Sequence, residues 1–248
     1  IRDPAEGYSA AQFRVDALAA MADITKAGRI PLLVGGTSLY FRALERGLTE
    51  LPPADPRVRA TIEAQARSQG WEALHQQLAV ADPITAARIH PHDPQRIQRA
   101  LEILALTGQP PSVLYATRET PKLPYQLTKL VLAPADRGLL HQRIAERFKQ
   151  MLIEGLVPEV ENLYNRADLG LDKPALRAVG YRQVWEYLDG ITNYEAMMER
   201  AIAATRQLAR RQLTWLRAET DVCWMESTDP KLLTEVLHVL EERKLLTN

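Results

Sequence analysis

Apolar residues recur at helical spacing close to the start of the chain. Phe13, Ala17, Leu18, Met21 and Ile24 follow Ser9, a residue suited to N-capping, and the run stops at Gly28. The period then changes. Ile30-Pro31-Leu32-Leu33-Val34 is short, apolar and branched, which predicts a buried strand; Gly35-Gly36-Thr37 follows, and Leu39 to Glu45 returns to helical spacing. Helix, strand, glycine turn and helix in that order belong to parallel α/β sheets, whose ligands sit at strand carboxyl ends beside unpaired helix amides. Pro52, Pro53 and Pro56 interrupt this pattern. Beyond them Asp55-Pro56, Asp82-Pro83 and Asp93-Pro94 each join a capping carboxylate to a residue pre-set for the first helical position, and no strand pattern occurs between Leu51 and Tyr115.

The organisation this predicts is an α/β core made of residues 1–51 and 123–248, interrupted by a helical insertion at 52–122 that a proline-bearing loop around Pro121 and Pro124 closes. Within the second core segment, Leu127 to Ala133 reads as a strand, and Arg137 to Glu154 and Val157 to Arg166 as helices. Thr192 and Glu195 have capping-box spacing and open a long helix reaching Arg217. Val222 to Met225 is the last predicted strand, and Asp229-Pro230 starts a terminal helix. There is no internal repeat and no low-complexity tract.

Composition narrows the class. With 248 residues, 46% apolar and 25% charged, the chain is ordinary globular material rather than disordered or fibrous, and apolar runs such as Ile30 to Val34 are far too short to span a bilayer. Thirty-one Lys+Arg balance 31 Asp+Glu, so any attraction to nucleic acid must come from local clusters. The single cysteine, Cys223, excludes an internal disulfide and a cysteine-rich zinc site and suits a reducing, cytoplasmic compartment. The chain opens at Ile1 without methionine or signal peptide, which marks it as a suspected fragment.

Two basic clusters stand out. From Glu199 to Arg217 the predicted long helix carries Arg200, Arg206, Arg210, Arg211 and Arg217 against Glu199 alone. At 100° per residue Arg206, Arg210 and Arg217 share one stripe, Gln207, Arg211 and Thr214 an adjacent one, while Ile202, Ala209, Leu213 and Leu216 supply an apolar face. Either the arginines bind polyanion or they are a solvated face with acidic partners elsewhere. The second cluster is Asp93-Pro94-Gln95-Arg96-Ile97-Gln98-Arg99, where phosphate- and base-reading side chains lie near a helix start; an ordinary polar surface helix has the same pattern. Gly35-Gly36-Thr37 lets amides and a hydroxyl approach an anion, or is a structural turn. His90-Pro91-His92-Asp93 lacks a third ligand at a recognised spacing, so no metal is assigned there. Cys223 reads as a core thiol, and Trp71, Trp185 and Trp224 as packing residues.

Together the pieces resemble one family, the tRNA dimethylallyltransferases or tRNA isopentenyltransferases, in bacterial form. The matching stretches are Asp3-Pro4 with Tyr8-Ser9-Ala10 and Phe13, Val34-Gly35-Gly36-Thr37 with Leu39-Tyr40, and Asp93 to Arg99 with Ala100-Leu101-Glu102. Arg177 with Gly180-Tyr181-Arg182-Gln183 follows, then Thr205 to Ala209 with Arg210-Arg211-Gln212 and Thr214-Trp215-Leu216-Arg217. They occur in the family's order across nearly the whole chain. The resemblance implies an α/β, phosphate-loop NTPase-like parallel sheet core with a helical insertion domain that grips the tRNA anticodon arm. It implies transfer of the dimethylallyl group of dimethylallyl diphosphate to the exocyclic amine of the adenine 3′ of the anticodon, with Mg²⁺ as cofactor and the adenine flipped from its stack.

Carried over by position, Thr37 lies at the reaction centre, touching the target nucleotide or the departing diphosphate, and Arg147, with Arg143 one turn before it, neutralises diphosphate charge. Arg59, Gln95, Arg96, Ile97, Gln98 and Arg99 fall on tRNA-contacting stretches of the family. So do Arg177, Ala178, Val179, Gly180, Tyr181 and Arg182, and then Arg210, Arg211, Gln212, Leu213, Thr214, Trp215, Leu216 and Arg217. The family's G-x-x-x-x-G-K-[ST] loop and its Asp-Ser-x-Gln segment, whose Asp is the proposed general base, do not occur in these 248 residues. The resemblance therefore implies a missing N-terminal phosphate-loop segment that holds the Mg²⁺ ligands, an inactive chain by itself, and an active, monomeric intact enzyme. Rival readings are a non-catalytic RNA-binding protein with the same surface and a nucleotide kinase-like phosphotransferase.

Overall fold

The computed structural model describes residues 2–49, 51–116 and 123–243. The chain forms two compact units, one made of Ile1–Leu44 with Pro124–Asn248, the other of Glu45–Leu123.

In the first unit Ser9 caps α1 (Ala10–Lys26) by a reciprocal device: its hydroxyl accepts from the Gln12 N–H at 3.2 Å, and the Gln12 side-chain oxygen accepts from the Ser9 N–H at 2.8 Å. Gly28, at φ +70°, turns the chain out of the helix. Tyr40, on α2 (Ser38–Arg46), stacks on Phe13 of α1 with 4.5 Å between ring centroids, and its hydroxyl donates to the Tyr8 carbonyl at 3.2 Å. The segment between these helices is not the predicted strand. Ile30 to Val34 joins no ladder, and Leu32 and Val34 are 81% and 85% exposed. An apolar run becomes a strand only where a neighbour supplies hydrogen-bond partners; Pro31 lacks a donor, and the two strands among the described residues pair with each other.

Those strands are β1 (Lys129–Ala133) and β2 (Val222–Glu226), parallel, in register from Lys129 opposite Val222 to Ala133 opposite Glu226. β1 starts two residues later than the pattern predicts. The crossover between them contains α8 (Arg137–Ile153), α9 (Leu156–Tyr164), a 3-10 turn (Pro174–Arg177), α10 (Tyr181–Leu188) and α11 (Tyr194–Arg217). These bury Phe148, Leu156, Val160, Leu176, Val184, Trp185, Met197 and Ala201 as one core. The cap of α11 is Asn193 rather than Thr192: the Asn193 side chain accepts from the Ala196 N–H at 2.8 Å, whereas the Thr192 hydroxyl is buried without a hydrogen-bond partner. Asn193 has the extended backbone of a cap residue. α12 (Leu232–Glu242) begins after Asp229-Pro230, because the Asp229 carboxylate accepts from the Lys231 N–H and closes a turn instead. Trp185 packs in the core, but Trp224 is 46% exposed on β2, and Cys223 beside it is half-buried rather than a core thiol.

Helices alone make up the second unit among its described residues: α3 (Pro56–Gln69), α4 (Trp71–Ala81), α5 (Pro83–Ala86), α6 (Pro94–Thr107) and α7 (Pro111–Ala116). All three Asp-Pro pairs act as predicted, with Asp55, Asp82 and Asp93 accepting from first-turn amides and proline in the first turn. Leu74, Leu78, Ile97 and Ile103 are fully buried between the helices. Asp82 joins them at 1% exposure and accepts from the Thr85 N–H and hydroxyl and from the Ser112 N–H, which fastens α7 to α5. Burial pushes its carboxyl up, but these hydrogen bonds outweigh burial and hold it at about 2. Pro121 of the predicted closing loop lies outside the described residues. Among the described residues no helix is long and apolar enough to cross a membrane.

Candidate nucleic-acid interface

The Gly35-Gly36-Thr37 turn leads into α2, and the Thr37 carbonyl accepts from the Tyr40 N–H at 2.9 Å. Gln212 of α11 closes over it: its side-chain amide donates to the Gly36 carbonyl at 3.0 Å, and a Cβ at position 36 would lie 2.2 Å from that nitrogen. A side chain here would have to displace the end of Gln212 and break this bond. The turn and the basic helix are thus one site, built from residues far apart in sequence. The Thr37 side chain is exposed and its hydroxyl has no hydrogen-bond partner among the described residues.

Along α11 the stripe predicted from periodicity is real. Arg206, Arg210, Arg211 and Arg217 are exposed and form no ion pair among the described residues, while Ile202, Ala209, Leu213 and Leu216 are half-buried. Only Arg200 has an acidic partner, Glu186, at 2.7 Å. Cations left without carboxylate partners on one helix make a surface that attracts polyanions, and the arrangement disfavours a face neutralised from elsewhere. Gln207, Arg210, Arg211, Thr214 and Trp215 line an open groove of about 300 Å³. At its edge the Arg42 guanidinium lies 4.2 Å over the Trp215 ring and its Nε donates to Glu219 at 2.8 Å, which holds the indole at the surface, 39% exposed. Such a ring, beside free arginines, is a platform on which a base can stack.

The stretch from Arg177 to Arg182 divides into frame and surface. Gly180, at φ +99°, is the turn that starts α10, and its N–H donates to the buried Gln183 side chain at 2.8 Å. Arg177 donates through Nε to the Leu171 carbonyl at 2.9 Å; Ala178 beside it is exposed and Val179 half-buried. The Tyr181 hydroxyl donates a short hydrogen bond to Glu159, which, with burial, raises its pKa to about 12. Arg182 and Arg200 converge on Glu186, a carboxylate only 6% exposed. Arg143 and Arg147 are exposed on α8; Arg143 lies near enough to Glu226 to add to the hydrogen bonds from Thr228 and Ala135 that lower its carboxyl pKa. Neither arginine is hydrogen-bonded to Thr37 among the described residues.

In the second unit Arg96 is exposed and pairs with its own cap, Asp93, at 3.4 Å; Gln95 is exposed, and Gln98 donates to Glu63 at 2.8 Å. Ile97 is fully buried, so its part in this stretch is to anchor the helix. Arg59 and Arg99 both bind Glu102, which has no exposed surface. The grouping of arginines on buried Glu102 and Glu186 is invisible to pattern reading: Arg99 to Glu102 and Arg182 to Glu186 have helical neighbour spacing, but burial is a tertiary property. His92 pairs with Glu72 at 3.2 Å. Among the described residues no three His, Cys, Asp or Glu side chains assemble a metal site.

The comparisons with known proteins agree with one another. A family model described as IPP transferase matches residues 1–219. A tRNA dimethylallyltransferase of Thioalkalivibrio sulfidiphilus is 61% identical over 232 residues, 93% of this chain and 72% of the relative. The crystal structure of the full-length tRNA isopentenylpyrophosphate transferase from Bacillus halodurans superimposes with a TM-score of 0.65 at 35% identity, covering 98% of this chain and 75% of that one. A eukaryotic dimethylallyltransferase, crystallised acting on tRNA, gives a TM-score of 0.77 at 24% identity, over 99% of this chain and 64% of that one, and so shares the fold. Mostly helical with a small parallel sheet, the structure fits the α/β, phosphate-loop-like class to which the resemblance pointed. The chain belongs to the IPP transferase family, that of the tRNA dimethylallyltransferases.

Proposed function

We propose that the reaction this chain serves is tRNA dimethylallyl transfer: the dimethylallyl group of dimethylallyl diphosphate passes to the exocyclic amine of the adenine 3′ of the anticodon. Family membership supports the reaction class. The observation that carries the reading to this surface is the closure of Gln212 over Gly36, which joins the unpaired arginines of α11 to an exposed threonine hydroxyl. In this reading Arg206, Arg210, Arg211 and Arg217 hold the anticodon arm through its phosphates, Trp215 stacks a base, and Thr37 meets the extruded adenine or the departing diphosphate. Arg143 and Arg147 take up charge as the carbon–oxygen bond breaks, and the helices of the second unit grip the arm with Gln95, Arg96, Arg59 and Arg99. Mg²⁺ bound to the diphosphate would neutralise charge on the leaving group. The enzyme works as a cytoplasmic monomer.

These 248 residues contain neither G-x-x-x-x-G-K-[ST] nor Asp-Ser-x-Gln, so by themselves they bind the arm but turn over slowly or not at all. The test places this chain and the Thioalkalivibrio relative side by side, with radiolabelled dimethylallyl diphosphate and an unmodified anticodon stem-loop. Comparable stem-loop affinity with transfer only by the relative supports RNA binding by this surface and slow turnover of the 248 residues alone. Equal turnover shows that the 248 residues suffice for the reaction; absence of RNA binding, or ATP-dependent phosphorylation of a small acceptor instead, overturns the proposal.

A further inference from the structure

A carboxylate without exposed surface is costly unless every charge on it is matched. Glu102 meets that demand with four hydrogen bonds. Its Oε1 accepts from the Asp55 N–H and the Arg59 Nε, both at 2.9 Å; its Oε2 accepts from Arg59 Nη2 at 3.2 Å and Arg99 Nη1 at 2.6 Å. Arg99 is held further, through Nη2 to the Pro52 carbonyl at 2.8 Å. Yet the two arginine side chains are not buried with their partner: they keep 41% and 32% of their surface exposed. One buried anion therefore fixes two guanidiniums at the surface of α3 and α6, with a net charge of one positive unit for the three groups. A free arginine must give up its rotamers to bind a phosphate, whereas this pair has already done so.

We propose that Glu102 is a positioning residue for RNA: it presents Arg59 and Arg99 as one preorganised fork to the phosphate backbone of the anticodon arm. The inference rests on the RNA-binding reading above. It differs from a mere fastening of α3 to α6 in the sign of one effect. Glu102→Gln removes a negative charge beside two positive ones, so charge alone makes RNA bind more tightly. Lost positioning makes it bind more weakly.

The experiment measures the Kd of the full chain for an unmodified anticodon stem-loop by fluorescence anisotropy, over a series of salt concentrations, with the unfolding midpoint of each variant taken in parallel. Glu102→Gln is expected to weaken binding about tenfold and to make the dependence of log Kd on log salt shallower, despite the added positive charge. The double change Arg59→Lys/Arg99→Lys keeps every charge and the tie to Glu102 but removes the planar fork. It is expected to weaken binding to a similar degree, and it decides the matter alone if Glu102→Gln does not fold. Unchanged or tighter binding by a folded Glu102→Gln, or unchanged binding by the lysine pair, overturns the positioning role and leaves the RNA-binding reading standing. Failure of the unaltered chain to bind the stem-loop overturns both.

Discussion

Thr37 and Arg211 stand for two kinds of contribution within the same site. The threonine offers an unpartnered hydroxyl at the turn, the arginine an unpaired charge on the helix behind it. Thr37→Ala is expected to lower kcat at least tenfold with stem-loop Kd changed less than about threefold. Arg211→Ala is expected to do the reverse, raising Kd and reducing the slope of log Kd against log salt by about 0.7 to 0.9. Steady-state kinetics beside salt-dependent binding separates the two, and equal effects on affinity alone would contradict these roles. Gly36 is a third kind, a residue defined by what it leaves room for. An alanine there meets the Gln212 amide nitrogen at 2.2 Å, and only by swinging away, with loss of its bond to the Gly36 carbonyl, does Gln212 accommodate it. Gly36→Ala is expected to cost about 1 kcal/mol and several-fold in RNA affinity; adding Gln212→Ala should cost less than the sum of the separate changes, since the clash is then gone.

At the level of elements, polar side chains decide where helices begin and how they are fastened. The three Asp-Pro starts of the second unit show how much of this is local: an aspartate accepts first-turn amides, proline sets φ, and both facts are legible in adjacent letters. Asp82 does more, because its second oxygen accepts from Ser112 of a helix 30 positions on. Its folded pKa, about 2, lies below the unfolded value of 3.8. The carboxylate therefore contributes stability fully above about pH 4 and loses it as pH falls toward about 2, a contribution of about 2 kcal/mol. Urea midpoints for the chain and for Asp82→Asn should differ at about pH 6 and converge toward about pH 2; a constant difference across that range would show that the charge is not what matters.

For the whole molecule, zero formal charge hides an uneven distribution. Four arginines of α11 have no ion pair among the described residues, whereas Arg166 is paired with Asp3 and Asp168, Arg42 with Glu219, and Arg59 and Arg99 share the single charge of Glu102. Net charge is thus a poor guide to RNA binding here, and the salt slope is a better one. If the α11 stripe carries the contacts, replacing Arg206, Arg210 and Arg217 together by alanine should lower the slope by about 2 to 3 while the unfolding midpoint stays within a few degrees, as exposed residues allow. Loss of the midpoint with no change in slope would identify the stripe as structural.

Linear order alone settled much of this protein. Helical period placed α1, α2, α8 and α11; the Asp-Pro pairs marked the starts of α3, α5 and α6; and the ordered motifs pointed to the family, since each depends on neighbours within a few positions. It failed where the outcome depends on what lies alongside. Ile30 to Val34 has every property of a strand except a partner among the described residues, and Asn193 rather than Thr192 caps α11. α10 begins at Gly180 because a positive φ and a buried Gln183 meet there, neither of which a periodicity shows. The union of Gly36 with Gln212, 176 positions apart, and of Arg59 and Arg99 on Glu102 belongs entirely to the tertiary structure. Close approach and burial are relations between distant segments, and they govern glycine sterics and the cost of an ionised side chain far more strongly than the residues on either side in the chain.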